Sequence, residues 1–239
     1  MSFLGHANPT PATPNDSAFT TADKDVEVAD LPTDSISSID FAPQADFLAV
    51  GSWDNSVRVY EIGEGGQSQG KAIHQHAGPV LSVCWSRDGK VFSGSVDNTA
   101  AMLDVSTGQA MQVAQHDAPV KAVKWVDTPS GAVLATGSWD KTVKYWDMRS
   151  PTPVITVNLP ERCYAFDAQF PFVVAGSADR QIQVFNLANP QTPYKTLTSP
   201  LHGLTRVISC FTATSTHGFA IGSVEGRVGI QYIEDRDTQ

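Results

Sequence analysis

GSWDKTVKYWDM, residues 137 to 148, closes one apolar run on Gly-Ser, turns sharply through Trp139, Asp140 and Lys141, and opens a second run. Four other stretches align with it without a gap: GSWDNSVRVYEI from Gly51, GSVDNTAAMLDV from Gly94, GSADRQIQVFNL from Gly176 and GSVEGRVGIQYI from Gly222. Successive copies stand 43, 43, 39 and 46 residues apart, the period of four-stranded blades arrayed around an axis. Apolar side chains recur at every second residue, as in FLAVGS ahead of Trp53 and VRVYEI from Val57 to Ile62, so these segments are strands and not helices. The fold class is all-β: a propeller with about five blades, near residues 36–76, 77–115, 116–159, 160–199 and 200–239.

The residue types in the turns recur for a physical reason. In a WD-type blade the turn aspartate accepts hydrogen bonds from a histidine of the preceding loop and from backbone amides. A serine hydroxyl links that histidine to a tryptophan on the third strand, so buried polar groups find partners. His116, Ser138, Asp140 and Trp146 fit these roles in the third copy, and His76, Ser95 and Asp97 in the second. Ser, His and Asp are also the members of a catalytic triad. Their recurrence in a second blade, with no oxyanion donor nearby, favours the structural role. Elsewhere the set is depleted: Tyr60, Leu103, Phe185 and Gln231 hold the tryptophan position, and copies one, four and five lack the histidine.

No phosphate-cradling glycine loop, metal-ligand cluster or isolated pair of catalytic carboxylates is present. The chain therefore reads as a binding platform and not an enzyme, with no cofactor, no metal and no small-molecule substrate. A five-bladed propeller hydrolase is the competing class. It needs acids along the central channel, whereas inner-strand residues such as Val80, Val83, Val120, Val123 and Ile208 are apolar. Trp53 and Trp139 stand directly before the turn aspartate, where each is either an anchor for a partner or a cover over the next blade.

The 239 residues are 41% hydrophobic and 17% charged, enough to bury a sizeable core. No apolar stretch is long enough to span a membrane, and the N-terminus has no secretory pattern, which points to cytosol or nucleus. Cys84, Cys163 and Cys210 form no C-x-x-C pair and read as free buried thiols. The net charge of −9 repels phosphate, so any RNA contact must be local. Residues 1–24 are rich in Pro, Thr, Ser, Asn and Asp without apolar periodicity and are expected to be a disordered tail ahead of the propeller, residues 25–239.

QHDAPVKAVKW from Gln115, GSWDKTVKYWDMRS from Gly137, LPERCYA from Leu159 and GSVEGRVGIQYI from Gly222 closely resemble the nuclear-pore messenger-RNA export factors, a WD-repeat family. Its cousin, the WD-repeat adaptor of the mitotic spindle checkpoint, shares SWDNSVRVY and VEGRV, while HDAPVK and the character of the tail favour the export family. The resemblance runs from about Lys24 to Ile233. It implies a non-enzymatic scaffold that acts in messenger-RNA export, binds a GLEBS-type segment of an FG-repeat nucleoporin, and resides at the nuclear pore and in the cytoplasm. In the cousin's role the partners are checkpoint kinases; single-stranded RNA is a further partner. The positions matching the family's contacts are Trp53, Arg206 and Arg227, the two arginines pairing with acidic GLEBS side chains through their planar donors. Lys121, Arg162 and Tyr164 are expected on the same surface, alongside Trp139.

Members of this family are seven-bladed and continue for about a hundred residues past the point where this chain stops. The expectation is accordingly a truncated product, in which an N-terminal strand near Asp25 to Val28 has no sheet to join. The open faces of the first and fifth blades should each expose apolar surface, at a cost on the order of 10 kcal/mol for several hundred Å².

Overall fold

The structure, a computed structural model, describes residues 26–213 and 216–234. The expected disordered tail, residues 1–24, lies outside them, as do residues 235–239 of the fifth blade. Five antiparallel sheets follow one another along the chain. Each opens on an inner strand: β1 (Ile36–Phe41), β5 (Val80–Trp85), β9 (Val120–Thr128), β13 (Cys163–Gln169) and β17 (Thr205–Ala213). The first four build outward by hairpins to β4 (Ser68–Gln75), β8 (Gln109–Gln115), β12 (Ile155–Asn158) and β16 (Asn189–Thr198). The fifth holds three strands among the described residues and ends on β19 (Val228–Tyr232). The described residues contain one helical element, a 3₁₀ turn at Glu64–Gly66. This is the all-β propeller architecture that the repeats predict.

The turn after Gly-Ser takes the same shape in all five sheets. Its third residue, Asn55, Asn98, Lys141, Arg180 or Gly226, sits at a φ between 68° and 74°. That left-handed conformation suits Asn and Gly, and is strained for Lys141 and Arg180. The glycine before it lies flat under the next sheet. A Cβ on Gly137 would stand 2.6 Å from Cys163 Sγ, and one on Gly94 2.8 Å from Val120 Cγ1, so close stacking requires the missing side chain.

This stacking corrects one expectation. Val80, Val83, Val120, Val123 and Ile208 are buried, but between sheets and not along a channel. An irregularity near the start of the inner strands, between Ile36 and Ser38, Val80 and Ser82, and Cys163 and Ala165, resets the alternation. The opposite face then presents polar side chains to the next sheet. Ser38 Oγ accepts from Val83 N at 3.2 Å, Ser82 Oγ from Val123 N at 3.2 Å, Asp40 Oδ2 from Trp85 N at 3.2 Å and Asp167 Oδ2 from Cys210 N at 2.7 Å. Inner strands are thus tied in series by side-chain acceptors.

The outward faces of the first and fifth sheets carry exposed apolar side chains, Ile36, Ile39 and Phe41 on one and Val207, Val228 and Ile230 on the other. Part of the first face is covered. Val28 packs over Leu48, Val50 and Tyr60. Ala29 N donates to Ser68 Oγ at 2.7 Å, and Asp30 O accepts from both Tyr60 OH and Arg58 Nη1. No ladder pairs Val26, Glu27 or Val28, in keeping with an N-terminal segment that joins no sheet among the described residues.

Candidate functional site

In every sheet the residue after Gly-Ser donates its amide to the loop that precedes the inner strand. The links are Trp53 N to Ser35 O, Val96 N to Pro79 O, Trp139 N to Pro119 O, Ala178 N to Arg162 O and Val224 N to Leu204 O, at 2.9–3.1 Å. Five turns and five loops therefore form one face at one end of the strands. Loops in such a position are free to vary, because the sheets beneath them carry the fold.

Two buried networks anchor this face. His116 Nδ1 lies 2.7 Å from Asp140 Oδ2, His116 Nε2 lies 2.8 Å from Thr136 Oγ1, and Trp146 Nε1 donates to Thr136 Oγ1 at 2.9 Å. The Asp140 carboxylate can only accept, so the neutral His116 carries its proton on Nδ1, facing it, and Nε2 accepts from the Thr136 hydroxyl. In the second sheet His76 bridges Asp97 and Ser93 at 3.0 and 2.8 Å. Burial pushes both histidines below their ordinary pKa, outweighing the facing carboxylates, so both imidazoles are neutral near pH 7. Burial acts to raise Asp97 and Asp140, but the Thr99 and Thr142 hydroxyls and the histidines hold both below the usual carboxylate range.

The linking hydroxyls are Ser93 and Thr136, not the expected Ser95 and Ser138. Thr136 faces Lys144 across the sheet, diagonal to Trp146 and within side-chain reach. Ser138 lies nearer the turn, where it donates to Ala118 O and accepts from Asp140 N, both at 3.0 Å; Ser95 does the same with Gly78 O and Asp97 N. A signal existed in the sequence. The two copies with a histidine are the two with a hydroxyl directly before the glycine, and Val50, Ala175 and Ile221 stand there in the others. Thr136 is fully buried beneath the indole and the imidazole, out of reach of any substrate.

Of the residues expected to bind a partner, four come together. Trp139 and Tyr164 meet edge to face with ring centroids 6.5 Å apart. Lys121, Tyr164 and Arg206 are the second residues of β9, β13 and β17, so they stand in a row at the turn end. Burial lowers the Lys121 pKa, and the Arg206 charge lowers it further, so each cation is within electrostatic reach of the other. Neither is ion-paired among the described residues. Trp139 Nε1 is buried with no partner among the described residues. Trp53 is 51% exposed, while Arg162 and Arg227 are exposed next to Glu161 and Glu225, whose carboxylates feel their charges. No hydrogen bond, ring pair or ion pair joins Trp53, Arg162 or Arg227 to the Lys121–Arg206 row among the described residues.

The sequence reading missed a charged hub. Lys124 Nζ on β9 lies 2.9 Å from Asp167 Oδ1 on β13. Burial raises the Asp40 pKa against the opposing pull of Lys124, and the Asp167 charge adds to the rise. The first sheet thus feels charges on the third and fourth, which places these residues around a common axis. Burial works against the Lys124 charge, but Asp167 outweighs it and the pKa rises, so the lysine stays charged and offsets part of the negative charge of the two acids. Burial pushes the Cys84 and Cys163 thiols up to about 12, so neither supplies a thiolate. Among the described residues no group of three His, Cys, Asp or Glu is placed to hold a metal ion.

Comparison with known proteins places this geometry in context. The family model described as "WD domain, G-beta repeat" matches residues 27–61, 67–104 and 109–147. The "Poly(A)+ RNA export protein" of Schizosaccharomyces pombe is 53% identical over 216 residues, 90% of this chain and 61% of the relative. "mRNA export factor GLE2" of Chaetomium thermophilum is 53% identical over 89% of this chain and 60% of its own length, and "Protein Rae1" of Drosophila melanogaster is 47% identical over 87% and 62%. The chain thus spans about six-tenths of the length of these relatives. Five serial sheets, Gly-Ser turns closed on acidic residues, and identity that runs through nine-tenths of the sequence make this chain a WD-repeat β-propeller protein and a close homologue of the mRNA export factors.

Proposed function

We propose that this chain is a non-enzymatic scaffold of messenger-RNA export that holds an acidic, GLEBS-type segment of an FG-repeat nucleoporin on its turn face. The observation that carries this reading is the row Lys121–Tyr164–Arg206 beside Trp139: two cations on alternate inner strands, neither ion-paired to a carboxylate among the described residues, with an aromatic pair and an unpaired indole N–H between them. Such a row supplies charge-assisted donors for carboxylates and a flat apolar anchor for the same segment. Trp53, Arg162 and Arg227 extend the surface to either side. Against catalysis, the hydroxyl of each histidine network is buried, and Asp167 of the hub is ion-paired to Lys124.

Relatives named for RNA export, and not for the spindle checkpoint, favour the export role over the checkpoint role. In this reading the protein resides at the nuclear pore, with a cytoplasmic fraction. Single-stranded RNA is a secondary ligand, opposed by the net charge of −9. Imaging of the tagged full-length protein is the test. Signal at the nuclear rim, with polyadenylated RNA retained in the nucleus on depletion, is the expected result. Accumulation at unattached kinetochores, with RNA export intact, would overturn it.

A further inference from the structure

The contacts between successive sheets are built from the same positions each time. The inner strand of the following sheet inserts its side chains: Val80, Val83 and Trp85 in the second sheet, Val120 and Val123 in the third, Cys163 and Phe166 in the fourth. The preceding sheet receives them on its Gly-Ser glycine and on two residues of its third strand, Val57 and Val59 in the first sheet, Val143 and Tyr145 in the third. All of these apolar side chains are buried. A Cβ on Gly51, Gly94, Gly137 or Gly176 would stand 2.6–3.0 Å from a side chain of the following sheet, so the glycine marks the receiving half.

The first and fifth sheets each carry one half of this contact without the other. In β1, Ile36, Ile39 and Phe41 hold the register positions of Val80, Val83 and Trp85, yet they are 52–61% exposed. In the fifth sheet Gly222, Val228 and Ile230 hold the positions of Gly51, Val57 and Val59; Val228 is 72% and Ile230 53% exposed. A Cβ on Gly222 would meet only Val207 of its own sheet. The N-terminal segment adds to the fit. Val28 packs on Leu48 and Tyr60, which hold the positions of Val91 and Leu103 in the second sheet, where Ala72 of β4 packs against the same cluster. Val28 thus stands where the fourth strand of an adjoining sheet stands, and the fifth sheet holds three strands among the described residues.

We propose that the fifth sheet of one copy of this chain docks, head to tail, on the first sheet of a second copy. Ile36, Ile39 and Phe41 of one copy enter over Gly222 of the other, against Val228 and Ile230, as Val80, Val83 and Trp85 enter over Gly51. The occupant is a second copy because each chain offers both halves of the repeated contact and joins neither within itself. Exposed apolar faces of this kind mark interaction surfaces. The contact is heterologous, so every joined pair still offers one free face of each kind, and it uses none of the residues of the Lys121–Arg206 row.

Sedimentation velocity on the 239-residue chain over a dilution series tests this, with two variants. Ile39→Asp spoils the first face and Val228→Asp the fifth; both side chains are exposed in the single chain, so neither change disturbs its own packing. The unmodified chain should sediment as dimers and larger species that dissociate on dilution. Each variant alone should be a monomer. An equimolar mixture of the two should form a one-to-one dimer and nothing larger, since it keeps one intact face of each kind. Aggregation through exposed apolar surface alone would not be restored in this way. A monomeric unmodified chain, a variant that still associates with itself, or a mixture that stays monomeric would overturn the proposal.

Discussion

At the residue scale the fold turns on which hydroxyl the buried histidine meets. Thr136 Oγ1 serves both His116 Nε2 and Trp146 Nε1, so its removal strands two buried polar groups. Thr136→Val keeps the shape and deletes the oxygen; it should cost about 2–6 kcal/mol in urea unfolding, at about 1–3 kcal/mol for each of the two groups left unpaired. Thr136→Ser should recover most of that loss. The networks also set the response to acid. His76 and His116 have folded-state pKa values below 6.5, so under that pH the unfolded chain takes up protons that the folded chain refuses, and stability falls. Asp54, for which burial is outweighed by Ser56 and the Thr33 amide, is held at about 2, and Asp97 and Asp140 are lowered too. Their contribution is present above the ordinary carboxylate pKa of about 4 and is lost as pH falls below it. Urea midpoints measured from pH 8 to 3 should be flat above 7, decline below about 6.5, and drop again below about 4. A midpoint that rises from pH 7 to 5 would contradict the neutral assignment of both histidines.

Strands and sheets were the most legible part of the sequence, because five in-phase copies carry the same alternation and the same turn. The irregularity at the start of each inner strand was not legible. One extra residue, as between Cys163 and Ala165, swaps the faces of everything after it, and no residue type announces it. Hence the valines were placed on the channel while Asp40, Lys124 and Asp167 went unnoticed. The glycine of each Gly-Ser marks the same stacking geometry from the other side. Gly137→Ala sets a methyl 2.6 Å from Cys163 Sγ, and should destabilise the chain by about 1–3 kcal/mol as the third and fourth sheets are forced apart. Differential scanning calorimetry reads this directly, and the paired change Gly137→Ala with Cys163→Ala should restore part of the loss.

For the whole molecule, the hub and the turn face pose separate questions. Lys124→Met leaves Asp167 and Asp40 facing each other without their cation. The cost should be about 1–2 kcal/mol, below the 3–5 kcal/mol of a fully buried pair because the lysine is about a third exposed. Adding Asp167→Leu should recover most of it, a comparison that chemical denaturation can make. The turn face was legible only in part. Aromatic and basic residues in the repeats flagged it, but the sequence did not show that Lys121, Tyr164 and Arg206 hold the same position on three successive inner strands, with Trp139 against Tyr164.

That row is the centre of the account, and calorimetric titration of an acidic GLEBS-type peptide tests it most directly. Lys121→Glu on β9 and Arg206→Glu on β17 should each weaken binding at least ten-fold, since each turns an attraction into a repulsion, and the melting temperature should hold in Arg206→Glu, whose side chain is exposed. Trp53→Ala should weaken it too, since half of that ring stands exposed on the turn face. Unchanged affinity in both charge reversals would contradict the assignment of this face.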